Sequence, residues 1–203
     1  MTRLLLATHN QNKVRELRRL LQDDPQLQGR VEVLSFADIG YHTDGPENGA
    51  TFAENALIKA HAGAALGYVT VADDSGLEVD ALGGAPGIFS ARYAGEPCSD
   101  AANNEKLMLE MQAVPDEQRT AAFVCTIACV FPDGRQFTVR GEGRGRMLRA
   151  PLGEGGFGYD PYFLSDDLGC TLAQASEEQK NAVSHRGRAM RQFCRKVVDY
   201  LAP

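Results

Sequence analysis

The residues whose types and spacing first suggest chemistry are Asp73-Asp74-Ser75-Gly76, at the end of an apolar run. Tyr68, Val69, Thr70, Val71 and Ala72 favour a pleated, buried path, so a strand is expected there. It is expected to stop at Asp73, where a turn would expose two carboxylates and a hydroxyl on a rigid support. Gly76 would let the backbone bend. Neighbouring strand residues point to opposite faces, so Asp73 and Asp74 should do different jobs unless the turn has already begun. Taken alone, these four residues also fit an ordinary turn in which an Asp bonds its own backbone. The next stretch argues for a loop shaped around a ligand: Gly83-Gly84-Ala85-Pro86-Gly87 is conformationally demanding, and Ser90-Ala91-Arg92-Tyr93 adds a cation and a phenol.

Three other groups of residues extend the chemistry. Glu47, Asp73 and Asp74 suit a hard cation such as Mg²⁺, which prefers oxygen and takes few protein ligands. Lys13 and Lys59 suit phosphates. Lys13 follows the polar stretch Thr8-His9-Asn10-Gln11-Asn12 at the start of an expected helix, and a cation there opposes the helix dipole. A bound phosphate explains it better than helix stability does, because a strand–turn–helix unit aims N–H groups at an anion. Phe157 and Tyr159 flank a glycine-rich stretch and suit stacking on a base, with Asp160 as a polar reader. Lys180, His185 and Arg186 form a third cationic cluster, with His185 and Arg186 again at a helix start. A base, phosphates and a metal together describe a nucleotide.

The elements expected to position these residues follow from pattern. Arg3–Ala7 reads as a strand, followed by a helix with Val14, Leu17, Leu20 and Leu21 on one face that ends near Pro25. Val31–Phe36 reads as a second strand and Ala37–Gly49 as loop. Thr51 caps a helix to about Leu66, with Glu54 completing a capping box. Thr51, Asn55 and Lys59 are four apart and form one polar stripe, opposite Phe52, Ala56 and Ala60. A helix over Asp100–Met111 precedes a long strand, Ala121–Phe131. Pro132–Arg135 is a turn, and Gln136–Gly141 pairs back as a hairpin. Gly141–Gly158 reads as a glycine-rich region whose flexible end presents Phe157, Tyr159 and Asp160. Tyr162–Leu164 reads as a short strand. Ser176 caps a short helix with Gln179, and a final helix carries Ala189, Met190, Phe193, Val197 and Leu201 inward.

Several function classes are excluded or disfavoured. Gly153, Gly155 and Gly158 satisfy G-x-G-x-x-G, but they run into Tyr159-Asp160-Pro161 rather than a helix, so a dinucleotide fingerprint is rejected. There is no P-loop motif, and no Gly-x-Ser-x-Gly or Cys/His arrangement for a covalent nucleophile. With 203 residues, 43% hydrophobic and 24% charged, the chain, 1–203, reads as one soluble domain or as two small lobes sharing a core. A net charge of -6 argues against non-specific binding to nucleic acid or membrane surfaces. The apolar run in MTRLLLATHN is too short for a signal peptide, and no stretch reaches the length of a membrane span. The five cysteines, Cys98, Cys125, Cys129, Cys170 and Cys194, have neither zinc spacing nor a Cys-x-x-Cys pair, which suits a reducing, cytoplasmic setting.

The ordered motifs resemble those of the inosine/xanthosine triphosphate pyrophosphatase family, enzymes that clear unusual purine nucleotides. The resemblance covers nearly the whole chain. It rests on Thr8-His9-Asn10-x-x-Lys13, Glu47-Asn48-Gly49-x-Thr51-Phe52-x-Glu54-Asn55-Ala56, Ala72-Asp73-Asp74-Ser75-Gly76-Leu77, Gly83–Gly87, Ser90–Tyr93, Gly155–Pro161 and Ser184-His185-Arg186. His9 stands where the family often has Gly. The resemblance implies an α/β fold with a mixed twisted sheet, flanking helices and two lobes around a central nucleotide-binding cleft. It implies Mg²⁺-dependent hydrolysis of ITP, dITP and XTP to the monophosphate and pyrophosphate by a homodimer. By motif match, Glu47 and Asp74 would hold the metal, and Asp74 would be the catalytic acidic residue. Thr8 to Lys13 and Ser75 would hold the triphosphate. Phe157, Gly158, Tyr159, Asp160, Lys180, His185 and Arg186 would hold the nucleoside. Lys59 would help orient the triphosphate, and either Asp73 or Asp74 could activate the water. Two alternatives are a nucleotide-binding regulator without turnover and a pyrophosphatase for modified pyrimidine triphosphates.

Overall fold

The computed structural model describes residues 2–42 and 48–201, with the backbone alone at Asn12, Glu16, Leu17, Leu20 and Leu201. Glu47 therefore lies outside the described residues. Among the described residues, six strands form one sheet in the order β2-β1-β3-β4-β5-β6. They are β1 (Thr2–Leu6), β2 (Val31–Ser35), β3 (Val69–Val79), β4 (Thr120–Val130), β5 (Gln136–Met147) and β6 (Phe163–Ser165). The helices are α1 (Gln11–Asp23), α2 (Phe52–Ala64), α3 (Asp100–Glu110), α4 (Glu177–Val183) and α5 (His185–Leu201). The sheet is mixed, because β1 runs parallel to β2 and β3 whereas β5 and β6 are antiparallel. This is the mixed α/β architecture expected from the sequence. No helix among the described residues is long and apolar enough to cross a membrane.

The chain divides into two compact units. The first comprises residues 1–74, 125–141 and 189–203, and the second residues 75–124 and 142–188. In the first unit, strand alternation sorts side chains onto two cores. Leu4, Leu6 and Val71 join Val14, Leu21, Phe193 and Val197 from α1 and α5. Leu5, Ala7 and Ala72 join Ala56, Ala60 and Ala64 of α2. Small residues let α2 lie close to the strands. A Cβ on Gly63 would fall 2.6 Å from a Thr70 methyl and 2.8 Å from Leu5 Cδ2, so glycine is needed for this approach. The second unit packs Leu77, Val79, Leu107, Met111, Met147, Tyr159 and Phe163 together.

Local signals explain most element ends. Thr51 Oγ1 accepts from Glu54 N at 3.1 Å. The Glu54 carboxylate reaches back to Ala50 N rather than to Thr51, a shifted version of the expected box. Ser176 and Gln179 form the full reciprocal box on α4. Three expectations need correction. β3 does not stop at Asp73 but runs through Asp73, Asp74, Ser75 and Gly76 to Val79. Gly76 is there for closeness rather than for a bend, since a Cβ on it would meet Ser90 Oγ at 2.4 Å and Gly87 O at 2.5 Å. β5 likewise continues past Gly141 to Met147, because Gly145, Arg146 and Met147 pair with β6.

Candidate active site

The first unit gathers four charged side chains. Ala7 N donates to Val71 O at 2.8 Å, so the chain leaves β1 beside the part of β3 that leads into Asp73. Asn10 then starts α1: its Oδ1 accepts from Lys13 N at 3.2 Å, and its own N donates to Thr8 Oγ1 at 3.1 Å. Lys13, in the first turn, lies with Nζ 2.9 Å from Asp73 Oδ2. In this arrangement, Asp73 supplies the negative charge that offsets the unfavourable dipole at Lys13. On α2, Lys59 Nζ donates to Asp74 Oδ1 at 2.9 Å. The two aspartates thus take different lysines from different elements, as side-chain alternation on a strand requires.

Asn55, which the sequence places on a polar stripe and within the Glu47–Ala56 motif without giving it a role, ties this cluster together. It is buried, and its Nδ2 donates to Asp74 Oδ2 at 3.3 Å while its Oδ1 accepts from Gly49 N at 2.8 Å. It therefore fixes the second oxygen of Asp74 and anchors the chain two residues after Glu47. The signal available in sequence was its position one turn before Lys59 on the same face of α2. The aspartates differ in access: the Asp73 side chain is 2% exposed and the Asp74 side chain 12%. Both pairs are largely desolvated, so removing one member leaves a poorly solvated charge and costs about 3 kcal/mol or more.

The remaining first-unit candidates are backbone-rich. His9 packs its ring 5.4 Å from that of Phe36, and Gln11 is the first residue of α1 and donates to His9 O at 3.4 Å. Asn12 lies within α1.

The second unit gathers the expected nucleoside residues. Phe157 is 68% exposed, a large apolar ring facing solvent. Lys180 Nζ lies 4.7 Å from the Phe157 ring centre and also forms an ion pair with the Asp160 carboxylate. Asp160 is buried, and its Oδ2 accepts from Phe157 N at 3.0 Å. Arg186 Nη2 donates to Ser75 Oγ at 3.3 Å, joining two candidates that are far apart in the chain. His185 stacks against Phe123, with ring centres 5.1 Å apart and planes 16° from parallel. Gly158 continues the loop after Phe157.

Tyr159 departs from expectation. It is not presented by the loop but buried in the second unit's core, with its hydroxyl donating to Ser90 O at 2.8 Å. A phenol can fill apolar space while its one donor finds a backbone acceptor. Burial pushes its pKa upward, and neighbouring Tyr93 and Asp100 add to the shift. Ser90 is also spent on structure: its hydroxyl accepts from Leu77 N at 2.8 Å and lies 2.6 Å from Gly87 O, which accepts from it. Ser90 and Gly87 thus serve the fold of the second unit.

A mixed α/β sheet bearing paired lysines and aspartates suits chemistry on phosphates, and the relatives of the chain show which: this is an enzyme, a hydrolase acting on phosphoanhydride bonds. Residues 4–196 match the Ham1 family model, and the chain belongs to that family. It is 51% identical over 191 residues to a protein from Geobacter sulfurreducens named dITP/XTP pyrophosphatase, covering 94% of each chain. A protein of the same name from Nocardia farcinica is 51% identical over 192 residues, covering 94% of this chain and 92% of the relative. Among solved structures, the Ham1 protein of Staphylococcus aureus superposes with a TM-score of 0.88 at 39% identity, covering 98% of this chain and 100% of the other. A structure described as a nucleoside-triphosphatase / dITP/XTP pyrophosphatase from Mycobacterium abscessus gives 0.79 at 44% identity, covering 95% and 98%.

Proposed function

We propose that the chain is a Mg²⁺-dependent pyrophosphohydrolase that cleaves dITP, XTP and ITP to the monophosphate and pyrophosphate, removing them from the nucleotide pool. The observation that carries this reading is the pair of lysine–aspartate contacts, Lys13 with Asp73 and Lys59 with Asp74, with Asn55 on the second oxygen of Asp74. Names borne by relatives at about half identity support the substrate class. The same family resemblance supports a cytoplasmic homodimer.

The carboxylate chemistry of Asp74 supports the Mg²⁺ requirement. Asp74 offers hard carboxylate oxygens, and a metal that keeps most of its shell for water and phosphate needs one or two such ligands. Asp74 would hold it together with Glu47. Bound there, the metal would offset negative charge on the phosphates.

The chain's own groups divide the work. Lys13 and Lys59 carry positive charge to the triphosphate and lower the cost of charge building on its oxygens. Their aspartate partners hold both ammonium groups in place before substrate arrives. Water attacks the α-phosphorus, a P–O bond forms, the bond to the bridging oxygen breaks as pyrophosphate leaves, and the proton lost from the water passes to solvent. Of the two aspartates, Asp74 suits orienting that water, because Asp73 is more deeply buried against Lys13. Phe157 offers a face for the base, and Lys180, held by Asp160 beside that ring, is a donor suited to a 6-oxo group. A 6-amino purine would leave such a donor unpaired, and sites built on hydrogen bonds can reject the wrong group by up to roughly 10⁴–10⁵.

A nucleotide panel with pyrophosphate and orthophosphate detected separately tests the reading. Mg²⁺-dependent pyrophosphate release from ITP, dITP and XTP, with little from ATP, is expected. Equal turnover of ATP, stepwise orthophosphate release, or binding without turnover would overturn it.

A further inference from the structure

The loop that displays Phe157 is held from outside by α3, whose residues have no part in the site described above. Gly158 N donates to Asp100 Oδ2 at 2.8 Å, and Gly158 O accepts from Asn104 Nδ2 at 2.8 Å. The preceding backbone groups are held within the turn: Phe157 N by Asp160 Oδ2, and Phe157 O by Asp160 N at 3.2 Å. Four successive backbone groups, from Phe157 N to Gly158 O, therefore each have a partner, although the ring they carry faces solvent.

Asn104 is shaped for this task at a cost to itself. It is buried, its Nδ2 also donates to Asp100 O at 2.9 Å, and its Oδ1 is buried without a hydrogen-bond partner. A buried acceptor left unpaired is disfavoured. Both donors of the amide are committed to carbonyls, one of them on the loop. A carboxylate in its place has no donors, and an aliphatic side chain offers neither bond. Asp100 sits one turn earlier on the same helix face and supplies the matching acceptor.

We propose that Asp100 and Asn104 are positioning residues for substrate recognition: together they clamp the Gly158 peptide and set the Phe157 platform before a nucleobase arrives. This rests on the reading of Phe157 as the base-stacking residue. A platform fixed beforehand loses less freedom when a ligand is bound. The clamp should therefore act on binding and leave the chemical step alone.

The test measures kcat and KM for ITP hydrolysis with Mg²⁺ by pyrophosphate release. Asp100 is exposed, so Asp100→Ala is a surface change that leaves the core intact. Asp100→Ala and Asn104→Ala should each raise KM about three- to tenfold, the worth of one lost hydrogen bond, with kcat within about twofold. Asp100→Asn keeps an acceptor for Gly158 N and should restore KM. In a Phe157→Ala background, Asp100→Ala should add no further increase. Amide exchange at Gly158, followed by NMR, should quicken in Asp100→Ala. An unchanged KM in Asp100→Ala, full additivity with Phe157→Ala, or equal losses in kcat and KM would each overturn the clamp. An unchanged KM in Phe157→Ala alone would instead overturn the stacking reading on which it rests.

Discussion

The charged cluster of the first unit and the aromatic cluster of the second are built by opposite means. Lys13, Lys59, Asp73, Asp74 and Asn55 all sit on regular elements and hold one another through side chains. Phe157 sits on an irregular loop whose backbone is held by side chains, Asp160 from the turn itself and Asp100 and Asn104 from α3. Charge brought close to phosphates needs fixed geometry and little water, and strands and helices supply both. A stacking face needs exposure, so its rigidity has to come from the backbone behind it. The first cluster is therefore expected to govern turnover and stability together, and the second to govern affinity.

The largest effect that would sharpen this contrast is Asp74→Asn. It should lower kcat about 10²–10⁴-fold with a smaller change in KM, measured by steady-state pyrophosphate release. A kcat within threefold of the parent would break the assignment.

Lys13→Met comes next. It strands the buried Asp73 carboxylate and should cost about 3 kcal/mol, a fall in Tm of roughly 6–12 °C by calorimetry. Adding Asp73→Asn should recover much of that loss without restoring activity. If the single variant melts like the parent, the pair is not a buried constraint.

Phe157→Ala should leave Tm alone, since the ring is exposed, and raise KM about fivefold or more. A drop in kcat with constant KM would place Phe157 in the chemistry and erase the division between clusters.

Tyr159→Phe is the smallest. Loss of the bond to Ser90 O should cost about 1 kcal/mol, or roughly 2–4 °C in Tm, with KM near the parent value. It also has a pH signature. Burial holds the phenol protonated above its ordinary value of 10.0, so the folded chain keeps a proton there that the unfolded chain would release. That contribution is present below pH about 10 and lost as pH rises beyond it. The phenylalanine variant should lose stability less steeply above pH 10. Burial also raises the Cys129 and Cys194 thiols from 9.0 to about 12, so both variant and parent should share a decline that begins near pH 9.

Legibility in the sequence followed the same division. The capped, striped α2 could be read because capping and helical spacing are local, and Asn55 and Lys59 do share its working face. Lys13 could be singled out because a lysine at a helix start is electrostatically odd. Its aspartate partner depended on strand order and could not be read. Asp-Asp-Ser-Gly reads as a strand end because those residues have poor β-propensity, but β3 lies between β1 and β4 in the sheet and carries on through them. Tyr159 looked ligand-facing beside its glycines because its acceptor, Ser90 O, lies 69 residues away in the chain. The second half of β5 alternates glycine with charged residues over 141–146, so it lacks the apolar side chains that mark a strand, and its partner β6 is three residues long.

The central claim is that the charged cluster drives water onto the α-phosphorus with pyrophosphate as leaving group. Hydrolysis of ITP in ¹⁸O-labelled water, followed by mass spectrometry of the products, tests it most directly. The account predicts one labelled oxygen in inosine monophosphate and unlabelled pyrophosphate. Label in pyrophosphate or in released orthophosphate would contradict it.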